Sequence, residues 1–183
     1  MTSDDLFIDL GSKSSSVILG EENLMPFSPD IVVTADDTPR VILVVDTKLS
    51  SEERVNDESQ LKSYMVRMRC PVGLFVTPEE IAVYRDTYTA HSEGSISRIG
   101  IYPAPNEWAV FKAPHHGSSD PHLGWSFEES VKTWLESLRT SRSDYIKQLP
   151  AETRNALSDY VFPALAQGVV RAGGPRESKI GSR

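Results

Sequence analysis

Three short groups of residues carry side chains able to act together: Pro29-Asp30, Asp46-Thr47-Lys48, and Gln60 with Tyr64. On an extended strand Asp46 and Lys48 stand two apart and leave the same face, while Thr47 leaves the opposite one. Where the strand bearing Asp30 pairs beside them, the two carboxylates meet at the strand ends. Two carboxylates plus a backbone carbonyl, for which Thr47 is the candidate, make an oxygen-rich site suited to Mg²⁺, which keeps several of its waters. Such a cation acidifies a bound water and stabilises charge on a phosphate. Lys48 beside it could orient or deprotonate the water, or stabilise the charge that builds on the phosphate. Gln60 and Tyr64, four apart, share one helix face and can turn back on the same site.

These residues need a frame. Val41 to Thr47 opens with five consecutive apolar residues, mostly β-branched, which predicts a strand covered on both faces and therefore central in a mixed sheet. Ser14–Leu19 and Asp30–Thr34 read as strands before it, the second entered through Pro29. Residues 52–69 read as a helix, with Leu61, Tyr64, Met65 and Met68 on one face and Pro71 as its stop. Val72–Thr77 and Ile81–Asp86 read as a hairpin across Pro78-Glu79-Glu80. Ile96–Tyr102 and Trp108–Lys112 are weaker strand candidates, and 113–125 reads as a loop. Ser126-x-x-Glu129 has the form of a capping box, opening a helix whose stripe is Phe127, Val131, Trp134, Leu135 and Leu138. A second helical stretch is expected over 152–170, kinked or interrupted at Pro163.

Composition bounds the function classes. With 183 residues and 39% apolar content the chain can bury a core. Its apolar runs are too short to span a bilayer, and the first residues lack a basic-then-apolar pattern, so no membrane association is expected. A single cysteine, Cys70, permits neither an intrachain disulfide nor a cysteine-based zinc site, which points to the cytoplasm. The net charge of −7 is uneven: −9 over residues 1–60, zero over 61–120 and +2 over 121–183. The overall sign argues mildly against a polyanion partner. The asymmetry instead suits an acidic metal site followed by bases for phosphate.

The ordered set Pro29-Asp30, Asp46-Thr47-Lys48 and Gln60-x-x-x-Tyr64, closed by the hairpin Cys70–Thr77 and Ile81–Arg85, resembles the PD-(D/E)XK nuclease superfamily. It is most similar to the branch containing RecB-like nucleases and the N-terminal nuclease domains of type I restriction R subunits. The likeness covers roughly residues 14–90, with Asp46 in the less common acidic option. It implies an α/β restriction-endonuclease-like core, a mixed central sheet flanked by helices, and Mg²⁺-dependent phosphodiester hydrolysis in which Mn²⁺ can substitute. By the same resemblance Asp30 and Asp46 hold metal, Lys48 is catalytic, and Gln60 and Tyr64 assist. The family core opens with a helix that often adds an acid. Here few residues precede the first strand candidate, so Asp4, Asp5, Asp9, Glu21 or Glu22 would have to serve, or the acid is absent.

Plainer readings stand beside these. Asp30, Asp46 and Lys48 could form a surface salt bridge at a strand end, and Tyr64 could be mainly core. Lys62, Arg67 and Arg69 rim the helix as its solvated polar face or as nucleic-acid contacts. His115-His116-Gly117-Ser118-Ser119-Asp120 looks like a metal cluster, but its further ligands are not evident and it reads as a loop. The expected organisation is a nuclease-like core over 1–115, a helical extension over 126–171 for dimerisation or partner docking, and a basic tail over 172–183. The expected activity is a metal-dependent nuclease acting on DNA, as a homodimer or a subunit of a larger complex. The alternatives are a non-catalytic binding or scaffolding subunit of the same fold and a defence-system nuclease silent until activated.

Overall fold

The computed structural model describes residues 28–50, 54–112, 121–140, 147 and 149–173. The strand expected at 14–19, the acids at 4, 5, 9, 21 and 22, the His115–Asp120 cluster and residues 174–183 lie outside these. The structure is α/β, built on one six-stranded mixed sheet. Its strands are β1 (Ile31–Ala35), β2 (Val41–Thr47), β3 (Val72–Val76), β4 (Glu80–Asp86), β5 (Ile96–Pro103) and β6 (Gly168–Ala172), ordered β5-β4-β3-β2-β1-β6. The β2–β3 pair is parallel and the other four pairs are antiparallel. A parallel pair needs a crossover, and α1 (Arg54–Met68) supplies it.

The apolar run of β2 lies in the interior of the sheet, as its composition predicts. Alternate side chains feed two cores. Leu43 and Val45 join Ile31, Val33, Leu74 and Val83 beneath the C-terminal helices. Val44 joins Phe75, Ala82 and Tyr84 beneath Leu61 and Met65 of α1. Met68, expected on that stripe, is 41% exposed, because the helix ends there and the following Cys70 takes the buried place. Among the described residues no helix is long and apolar enough to cross a membrane.

Three sequence readings change. Trp108 lies in a short 3-10 helix, Asn106–Phe111, rather than a strand. Its ring is wedged edge-on against Phe127 and Trp134 at centroid distances of 5.6 and 5.1 Å, so packing on α2 rather than strand pairing sets its place. Helix α2 (Pro121–Thr140) starts five residues before the expected cap. Pro121 suits a first turn, and the Ser126 hydroxyl donates back to the His122 carbonyl at 2.8 Å, inside the helix. The predicted stripe of α2, Phe127, Val131, Trp134, Leu135 and Leu138, is buried in the core against the sheet.

The third change concerns 152–170. Short helices α3 (Ala151–Ala156) and α4 (Phe162–Ala166) flank a π-helical turn, Leu157–Val161. The turn ends two residues before Pro163, whose missing N–H and ring bulk disturb the α ladder over the preceding turn. The chain then becomes β6, not helix, and the stretch read as a helical extension ends as a strand of the main sheet. Gly168 permits this: a Cβ there would meet Val33 Cγ1 at 2.5 Å and the Thr34 carbonyl at 2.8 Å. Gly173 closes the strand by donating its N–H to the Asp30 carbonyl at 2.6 Å, and a Cβ would overlap the Pro29 carbonyl oxygen. Gly173→Ala should therefore displace the backbone of Pro29 and Asp30 and cost roughly 1–3 kcal/mol in urea unfolding. Unchanged stability would show that this contact does not constrain the chain.

Candidate functional site

The site residues stand where β1 and β2 meet at one end of the sheet. Ile31 pairs with Val45 across the antiparallel ladder, so Asp30 and Asp46 are the next step in register. Asp30 donates its own N–H to the Val45 carbonyl at 3.1 Å. Its side chain is buried, and Oδ2 accepts the Thr47 N–H at 2.7 Å and the Thr47 hydroxyl at 2.6 Å. Two short bonds from one residue lock this carboxylate to the strand that carries Asp46.

Asp46 is 1% exposed, and its Oδ1 accepts from Lys48 Nζ at 3.2 Å. Its other oxygen, Oδ2, is buried with no hydrogen-bond partner among the described residues. Burial raises the Asp46 pKa from 3.8 to about 6; Lys48 opposes this through its charge and hydrogen bond, while Asp57 and Glu128 add to it. The lysine side chain is 33% exposed, so its ammonium can reach solvent from the same place. Its backbone N–H donates to the Val76 carbonyl at 2.9 Å, which holds the strand end in line with β3.

Asp57 and Glu128 were not singled out in the sequence. Asp57 sits in the first turn of α1, where a carboxylate is favoured by the exposed N–H groups of the helix start. Glu128 is half-buried on α2, a helix that sequence patterning assigned to a separate extension. Only the packing of α2 on the sheet brings its charge within reach of Asp46. Among the described residues, no group of three or more His, Cys, Asp and Glu side chains is close enough to hold a metal ion.

The helix residues divide along the axis of α1. Gln60 is exposed, one turn after Asp57. Tyr64 is half-buried and lies roughly 10 Å farther than Asp57 along the helix. Its ring carries the Arg67 guanidinium at 5.3 Å, and its hydroxyl pKa is raised by burial first and by the Cys70 thiol second. Lys62 pairs with Glu58 at 3.7 Å and sits over the Tyr84 ring at 5.5 Å. Arg69 is beyond the helix end, at the opposite end of the sheet from Asp46. The structure thus brings Asp30, Asp46, Thr47 and Lys48 together and spreads Lys62, Arg67 and Arg69 away from them.

The chain matches no protein-family model, no curated protein and no solved structure.

A carboxyl with a folded pKa of about 6 and an unfolded value of 3.8 binds its proton more tightly in the folded state. Stability is therefore lost as pH rises from 3.8 through 6, and the penalty is complete above 6. The shift is worth at most about 3 kcal/mol. In EDTA, Asp46→Asn should raise the melting temperature at pH 7.5 and lose that advantage by pH 4. An Asn variant less stable than wild type at pH 7.5 would mean that the Lys48 pair outweighs the burial. Thr47→Val, which deletes one of the two bonds to buried Asp30, should cost about 1–3 kcal/mol across neutral pH in the same melts.

Proposed function

We propose that the protein is a metal-dependent nuclease with a restriction-endonuclease-like core, hydrolysing phosphodiester bonds in DNA. The observation that supports this most is the buried Asp46 carboxylate, whose Oδ2 is unpartnered among the described residues at the end of the central strand. A buried carboxylate oxygen without a donor is costly, and a cation is the partner that would satisfy it. Asp30, Asp46 and the Thr47 carbonyl are the oxygen donors that would hold Mg²⁺ or Mn²⁺. When bound, the metal supplies positive charge at the scissile phosphate and makes water a stronger acid.

The remaining roles fall to the chain itself. Thr47, through its N–H and hydroxyl, fixes the Asp30 carboxylate so that it need not reorganise when substrate arrives. Lys48 Nζ, held by Asp46 Oδ1 yet partly exposed, can move to the phosphate and offset the negative charge that grows there. Gln60, exposed on α1 one turn after Asp57, would hydrogen-bond substrate at the rim. The raised pKa of Asp46 implies competition between proton and metal, so metal affinity should fall as pH drops below about 6.

A second reading is a binding or scaffolding subunit with little catalysis. Its support is the Asp30 carboxylate, whose Oδ2 is already committed to two Thr47 donors. Incubation of supercoiled plasmid and linear single-stranded DNA with Mg²⁺ or Mn²⁺ separates the readings. Wild type should cleave with either metal and not in EDTA, and Asp46→Ala and Lys48→Ala should each lower the rate at least 100-fold or so. Calorimetric titration of the wild type with Mn²⁺ accompanies it. Cleavage that survives Asp46→Ala would sink the assignment, and absence of both cleavage and metal binding would favour the scaffold.

A further inference from the structure

A cavity of about 420 Å³ opens at the end of the sheet opposite Asp46, lined by Arg40, Val66, Arg69, Asp86, Tyr88 and His91 among others. Arg40 immediately precedes β2, so it stands roughly 20 Å along the strand from Asp46. Asp86 ends β4 there, beside the start of β3. The candidate metal site uses none of these residues.

Two of the lining residues hold backbone conformations that side chains usually avoid: Arg69 has φ 51° and Tyr88 has φ 55°. Both hydrogen-bond patterns are well formed. Arg69 donates its N–H to the Val66 carbonyl at 3.2 Å and Cys70 donates to Met65 at 2.8 Å, which is the paired closure of a helix whose left-handed position is most often glycine. At Tyr88 the turn is built by Asp86, whose Oδ1 accepts the Tyr88 N–H at 2.7 Å. Glycine would meet either backbone requirement at lower cost. Two such positions line one cavity, where the Tyr88 hydroxyl donates to the Arg69 carbonyl at 3.5 Å, and strained backbone of this kind gathers where a side chain is needed for binding.

The chemistry of the lining is consistent. Arg40 and Arg69 bring two guanidinium-bearing side chains, the first hydrogen-bonded to the Tyr88 hydroxyl, His91 brings an imidazole, and Asp86 a single carboxylate with one oxygen engaged by the Tyr88 N–H. Guanidinium groups match phosphate oxygens in geometry as well as charge. Tyr88 is 56% exposed and offers a ring face beside them, on which a planar base can stack. The volume lies within the range of small-molecule sites and is larger than a phosphate ion alone would need. We propose that this cavity is a second site, which binds a nucleoside monophosphate with its phosphate between Arg40 and Arg69 and its base against Tyr88.

The nucleoside phosphate can be a free nucleotide or the 5′-phosphorylated end of a strand, and the test separates the two. In EDTA, which keeps metal out of the Asp46 site, the full chain is titrated by calorimetry with AMP, inorganic phosphate, a 5′-phosphorylated oligonucleotide and its unphosphorylated twin. AMP should bind with one site per chain and more tightly than inorganic phosphate; a phosphorylated strand binding in place of AMP, and better than its twin, would identify a strand end as the source. Arg69→Gly and Arg40→Gln should each weaken the preferred ligand by about tenfold or more. Arg69→Gly suits its backbone, so its melting temperature should match or exceed that of wild type. Tyr88→Asn, which also tolerates φ near 55°, should erase the advantage of AMP over inorganic phosphate. The proposal is overturned if none of the phosphorylated probes binds at millimolar concentration. It is equally overturned if binding survives both arginine variants, or if AMP binds no better than inorganic phosphate and the strand no better than its twin.

Discussion

Enclosing the Asp46 carboxylate at the end of β2 is the constraint around which the rest of this molecule is arranged. A carboxylate 1% exposed, with one oxygen held only by a partly solvated lysine, is a poor choice for a strand that needs only to fold. Everything near it limits the damage or makes use of it. Lys48 supplies a cation on the same face, and Thr47 ties the neighbouring Asp30 from the opposite one. The first turn of α1 brings Asp57, and α2 brings Glu128, both of which push Asp46 toward its protonated form. Negative charge is being concentrated around a buried carboxylate, the arrangement from which a cation gains most.

The two faces of the sheet divide the labour. The α1 face carries the crossover between the parallel strands and so fixes the direction in which β2 and β3 both run. The other face is built on the aromatic contact of Trp108 with Phe127 and Trp134, and holds α2 flat against β2. With both faces covered, the groups left accessible lie at the two ends of the sheet. The Asp30–Asp46 carboxylates occupy one end and the arginine-lined cavity the other.

Much of this was written in local pattern. The run Val41–Val45 announced an interior strand, and alternation within it announced that Asp46 and Lys48 would share a face. The stripes Leu61–Met65 and Phe127–Leu138 named the buried faces of two helices. The misses share a cause. β6 hides behind a helix because Gly168-Val169-Val170 is too short for period to outvote its neighbours, although a glycine followed by two valines was a usable signal of helix end and strand start. Trp108 reads as a strand residue until its partners, nearly twenty and more residues away, are known. Glu128 is invisible as a site residue for the same reason: only the docking of α2 gives its charge an address. Spacing placed Gln60 and Tyr64 on one helix face, but could not tell that Tyr64 lies two turns along the axis beside Arg67 and Cys70.

The pairing of β6 with β1 has a consequence for how the molecule comes into being. Ile31 and Ala172 sit side by side although about 140 residues separate them in the chain. Contacts of that span are among the last to be rewarded, because a large loop must close before they form. The hairpin β3–β4 and the crossover through α1 can assemble while the chain is still being synthesised, whereas the bond from the Gly173 N–H to the Asp30 carbonyl forms only when position 173 has emerged. A nascent chain could form the Asp30–Thr47 and Asp46–Lys48 contacts, which lie within two neighbouring strands, before the outer edge of β1 is covered. Completion of the sheet on that side thus waits on the far end of the described chain.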